Sequence, residues 1–88
     1  MLAAHKVTLT ESELGWGQRP DGCIYALTRE ALDKRVKEYM SYNDYNEFSY
    51  VSHGPVIVEI TQEFADIMNA TDDKTYTTAK YKHPGDLS

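Results

Sequence analysis

The groups in this chain that could hold a metal, attack a substrate or move a proton are dispersed rather than gathered. The three histidines, His5, His53 and His83, fall in separate segments, with no partner one helical turn away. Zinc sites in small domains draw on Cys and His at short paired spacings, and none is present. Cys23 is the single cysteine and opens an apolar run, where an inert thiol is expected. None of the fourteen acids forms a pair that its spacing sets apart for acid–base work. The glycines of Gly15-Trp16-Gly17 do not make a dinucleotide fingerprint. That motif follows a strand and opens a helix, so that backbone N–H groups meet phosphate, whereas here a strand follows Gly22 and Pro20 removes an N–H. The expectation is a protein with no catalytic residues, no cofactor and no metal.

A second kind of chemistry, recognition, is concentrated in one place. Between Glu38 and Tyr50 the chain sets Tyr39, Tyr42, Tyr45, Phe48 and Tyr50 among Glu38, Asp44 and Glu47. A phenol ring offers wide contact area at low entropy cost and carries its own hydrogen bond. Neighbouring carboxylates steer a basic partner. Tyr42, Asp44, Tyr45 and Glu47 are therefore the expected partner-binding residues; the competing reading makes Tyr39 and Phe48 core and the rest a solvated loop. Trp16 and Arg19 are added as a second contact, because Trp and Arg are enriched where interfaces concentrate their energy. A lone Trp in a small domain also serves as a core anchor.

Charge supports this choice. Residues 38–73 hold eight acids and neither Lys nor Arg, a net of −8, between flanks of +1 (residues 1–37) and +2 (residues 74–88). Nucleic-acid binding needs clustered Lys and Arg, so a direct nucleic-acid partner is not expected. A basic protein surface is. The absence of a disulfide set, of a signal-peptide pattern and of any apolar run of membrane-spanning length points to a cytoplasmic setting with no membrane partner.

These residues need a scaffold, and 88 residues make one domain with a modest core. The expected class is α+β: a mostly antiparallel sheet of four or five short strands with two helices packed on one face. His5–Leu9 alternates as a strand. Thr10-Glu11-Ser12-Glu13 has capping-box spacing and predicts one helical turn before Gly15. Pro20-Asp21-Gly22 predicts a turn into a strand over Cys23–Leu27. Thr28 caps a helix from Arg29 to about Tyr42, with Ala31, Leu32, Val36, Tyr39 and Met40 on its apolar stripe. Phe48–Ser52 and Val56–Ile60 predict a hairpin about His53-Gly54-Pro55, at the centre of the sheet. Thr61 caps a second helix, Gln62 to about Ala70, with Phe64, Ile67 and Met68 facing in. Thr75–Tyr81 predicts an edge strand. The domain spans 1–82, followed by a flexible tail, 83–88.

The segment Gly15-Trp16-Gly17-Gln18-Arg19-Pro20-Asp21-Gly22, with the strand and helix start that follow, resembles small uncharacterised accessory proteins of tailed bacteriophages over about sixteen residues. The resemblance implies no fixed fold and no catalytic residues. It implies a setting: a phage-encoded protein in the host cytoplasm that binds, and modulates or inhibits, a host protein such as a nucleic-acid-handling or defence factor. Two alternatives stand beside this. The chain could be a self-assembling accessory component, a homo-oligomer paired through an edge strand such as Thr75–Tyr81. It could also bind a small molecule near Trp16 and Arg19.

Overall fold

The computed structural model describes residues 2–13, 15, 17–43 and 47–79. The chain runs β1 (Leu2–Glu13), β2 (Gly17–Ala26), α1 (Arg29–Met40), β3 (Glu47–Ile60), α2 (Gln62–Asn69) and β4 (Thr75–Thr77). The strands form one antiparallel sheet in the order β3-β1-β2-β4. The α+β class, the four-stranded antiparallel sheet and two helices packed against it are as expected.

Both helices start where a threonine can take an orphan N–H. Thr28 Oγ1 accepts from the Ala31 N–H and Thr61 Oγ1 from the Phe64 N–H, each at 3.1 Å. The main core lies between α1 and the sheet: Val7 and Leu9 from β1, Ile24 and Ala26 from β2, and Leu32 and Tyr39 from α1, with Ala79 beside them. Ala31, Val36 and Met40 pack at its margin, which completes the expected stripe. Phe64 of α2 meets Tyr25 at 5.1 Å and Tyr76 at 5.2 Å, edge to face. Tyr25 alternates with Ile24 and Ala26 along β2, so this aromatic group belongs to the opposite side of the sheet. The placement of both helices on one face is refined accordingly.

Four local expectations are corrected. Thr10–Glu13 forms no helical turn; β1 runs straight through it. A capping box needs a helix behind it, and Gly15 and Gly17, both at positive φ, allow none. Pro20-Asp21-Gly22 is not a turn between elements but a bulge inside β2: Leu9 pairs with Gly22 and Thr10 with Pro20, leaving Asp21 as the extra residue. Phe48–Ser52 and Val56–Ile60 are not a hairpin but one strand at the sheet edge, because β1 is long enough to pair with both halves. The His53-Gly54-Pro55 punctuation is absorbed as register shifts opposite Lys6–Leu9, with a cis Gly54–Pro55 peptide and Gly54 at φ 94°. Ile67 does not face in: it is 50% exposed, and Ala65 joins Met68 on the buried side. The last expected strand is shorter than expected: Thr75–Thr77 forms β4 and Thr78 and Ala79 lie beyond it, while Lys80, Tyr81 and the 83–88 tail lie outside the described residues.

One buried residue was not expected. Arg35 is 2% exposed, with its Nη1 on Glu38 Oε1 at 2.7 Å, its Nε 4.0 Å from Asp73 Oδ2, and its guanidinium over the Tyr39 ring. It ties α1 to the α2–β4 connection. No helix among the described residues is long and apolar enough to cross a membrane.

Candidate functional site

The core face of β1 carries Val7 and Leu9, and alternation continues it into Glu11 and Glu13. Past the end of α1 this face becomes charged. Glu11 pairs with Arg19 of β2 and with Ser49 of β3; Glu13 pairs with Gly17 and with Glu47. The register therefore gathers Glu11, Glu13 and Glu47 so closely that one carboxylate oxygen from each lies within 4.8 Å of the others.

Arg19 holds this group together. Its Nε donates to Glu11 Oε2 at 3.2 Å, and its Nη2 to Glu11 Oε1 at 3.3 Å and to Glu13 Oε1 at 2.5 Å. The fork on Glu11 is the bidentate arrangement that suits a guanidinium. The Glu11 hydrogen bond and charge, with help from Glu13, push the Arg19 pKa above its ordinary value. The Glu11 side chain is 6% exposed and that of Arg19 61%. Among the described residues, three carboxylates thus gather beside one guanidinium, with Glu11 buried and Glu13 and Glu47 half-buried.

A second hydrogen-bond network buttresses this end. The bulge residue Asp21 accepts from Tyr39 Oη at 2.7 Å and from Ser49 Oγ at 2.5 Å on the same Oδ2. Asn43 clips β3 from the side: its Nδ2 donates to the Ser49 carbonyl at 2.7 Å and its Oδ1 accepts from the Ser49 N–H at 2.9 Å. The end of α1, the bulge and β3 are thus fixed to one another beside the carboxylates.

The expected site residues divide. Arg19 and Glu47 come together, with Glu11 and Glu13 as partners the sequence reading passed over. Tyr42 is half-buried just past α1, its ring 6.3 Å from Tyr39. Tyr39 is fully buried, and Phe48 is 41% exposed rather than core. Phe48 and Tyr50 alternate with Glu47 and Ser49, so their rings, 6.5 Å apart, project from the other side of the sheet, where Tyr50 Oη donates to Gln18 Oε1 at 3.0 Å. Trp16, Asp44 and Tyr45 lie outside the described residues. Among the described residues, then, the rings and carboxylates of 38–50 do not share one face.

Chemically, this end can receive a cation or a basic side chain. Glu11, Glu13 and Glu47 are the described residues placed to hold one, and Arg19 already supplies positive charge there. A shallow depression of about 160 Å³ beside it is lined by Glu13, Gly17, Gln18 and Arg19, below the several hundred Å³ usual for a small-molecule site. No known protein family, curated protein or solved structure matches the chain.

Proposed function

We propose that this chain is a non-catalytic binding module whose acidic end docks on a basic surface of another protein. The observation that carries this reading is the meeting of Glu11, Glu13 and Glu47 across two strands, with Arg19 as the cation that the described residues set against Glu11 and Glu13. A partner's Lys and Arg side chains would be drawn by the acidic balance of residues 38–73 and compete with Arg19 for the carboxylates. Tyr42, Asp44 and Tyr45 lie in the stretch of sequence that leads from α1 to Glu47. The resemblance of residues 15–22 to phage accessory proteins supports a host protein as the partner, and inhibition or modulation as the outcome.

Capture from bacterial lysate tests this, comparing the wild type with a Glu13→Gln/Glu47→Gln variant and a Tyr42→Ala/Asp44→Ser/Tyr45→Ala/Glu47→Gln variant. The expected result is a basic host protein that is retained by the wild type, released by added salt, and lost by both variants. Retention that ignores salt and survives both sets of substitutions rules the surface out.

A further inference from the structure

The outer edge of β3 is treated differently along its length. At Ser49 the outward N–H and carbonyl are both taken by Asn43. At Pro55 there is no N–H to offer. From Val56 to Ile60 neither device operates: among the described residues no strand and no side chain bonds to that edge, since β3 pairs only with β1. The segment reads Val-Ile-Val-Glu-Ile, without the Lys, Pro or bulge that proteins use to blunt an edge. Ile57 is 62% exposed, the most exposed large apolar side chain among the described residues. Leu2, paired with Ile60, is another at 39%.

We infer that Val56–Ile60 is a strand-addition edge that pairs antiparallel with the same segment of a second copy, about a two-fold axis at Val58. The segment is complementary to itself in this register. Val58 meets Val58 of the second copy, and Val56 meets Ile60. Ile57 meets Glu59, so the two Glu59 carboxylates never face each other, although each chain carries a net charge of −5. The two Ile57 side chains fall on the diagonal across the axis, within reach of one another. The result is one continuous sheet, four strands from each copy, closed by the symmetry rather than open-ended. Five residues make a short ladder, so the dimer is concentration-dependent rather than permanent. It uses the opposite end of β3 from Glu47 and does not depend on the acidic end.

Sedimentation across a concentration series, with cysteine crosslinking in a Cys23→Ser background, tests this. The wild type should move from 10.0 kDa toward twice that mass. Ile57→Lys changes an exposed side chain, so it should fold as the wild type does and weaken the dimer by roughly tenfold or more. Val58→Cys should crosslink under mild oxidation, because residues directly opposite sit about 4.5–5.5 Å apart at Cα, within disulfide range. Ile57→Cys should not, because its own copy sits on the diagonal, about 7–8 Å away. A chain monomeric at about 1 mM, or equal crosslinking of the two cysteine variants, overturns the proposal. So does a dimer that survives Ile57→Lys but is broken by Tyr76→Lys on β4, or a monomer that takes up a foreign strand peptide at this edge without self-association.

Discussion

Gly22 is the position where substitution should do the most damage for the least change in composition. Its φ is +142°, and a Cβ placed there meets Ala79 Cα and N at 2.7 Å and the Thr78 carbonyl carbon at 2.9 Å. All three are backbone atoms, so no rotamer change relieves the clash. Backbone strain contributes about 1–3 kcal/mol and overpacking about 1–3 kcal/mol more. The alanine's lower entropy in the unfolded chain offsets about 0.4–1 kcal/mol. Gly22→Ala should therefore cost about 1–5.6 kcal/mol, against about 4–13 kcal/mol for a domain of 88 residues. Gly17 is the internal control: its φ is +84° but a Cβ there meets nothing within 4 Å, so Gly17→Ala should carry only the strain, about 0.5–1.5 kcal/mol net. Urea titrations of the three proteins measure this, and thermal melts should place Gly22→Ala roughly 4 °C or more below the wild type. Equal losses in the two variants, or a Gly22→Ala loss under about 1 kcal/mol, would refute the close approach of Thr78–Ala79 to the bulge.

The hydroxyl of buried Tyr39 donates to a carboxylate, so Tyr39→Phe should cost about 1.5–3 kcal/mol by urea unfolding; a loss below about 0.5 kcal/mol would mean that Asp21 is satisfied without it. Thr28→Ala and Thr61→Ala each remove a helix cap and should each cost about 1 kcal/mol, with α1 or α2 amides gaining hydrogen exchange near the cap. The Arg29–Asp33 pair is exposed on both sides, so Asp33→Asn should change stability by no more than about 0.5 kcal/mol, and by less in high salt. Arg35 contrasts with it: with its side chain 1% exposed, Glu38→Gln should cost more than Asp33→Asn, because a buried guanidinium loses the charge of its acceptor at 2.7 Å.

Helix α1 was legible because its evidence is local: a threonine cap and five apolar residues on one stripe. Strand content was legible for the same reason, through runs such as Val56–Ile60. What failed was assembly at a distance. The period-two alternation of Glu11 and Glu13 was present, but the same residues fit a capping box, and only pairing to β2 and β3 decides between them. Asp21 looks like a turn residue in isolation and becomes a bulge because β1 continues past Leu9. Arg35 lies between Leu32 and Tyr39 on the buried stripe, and nothing nearby in sequence announces that Asp73 approaches it. Arg19 and Glu47 were chosen for charge and position; their meeting at Glu11 and Glu13 depends on register, which the sequence does not print.

The two surfaces assigned to partners follow from one mismatch of length. A strand rises about 3.3 Å per residue and a helix about 1.5 Å. β1, with 12 residues, therefore extends about 40 Å, and α1, also with 12, about 18 Å. The molecule is accordingly elongated, 44 by 26 by 19 Å. One helix cannot cover a sheet more than twice its length. Where α1 covers β1 the residues are Val7 and Leu9; further along they become Glu11, buried against the Arg19 guanidinium, and the half-buried Glu13. The back of the sheet meets water, with Thr10 donating to Ser52 at 2.8 Å. β3 follows this rule at Glu47 and breaks it at Val56–Ile60, where apolar β-branched side chains continue along an edge that nothing described covers. β3 therefore sets a carboxylate beside Glu13 at one end and an aliphatic run along a bare edge at the other, and the two proposed partners differ to match: a basic surface at the first, and a strand of its own kind at the second.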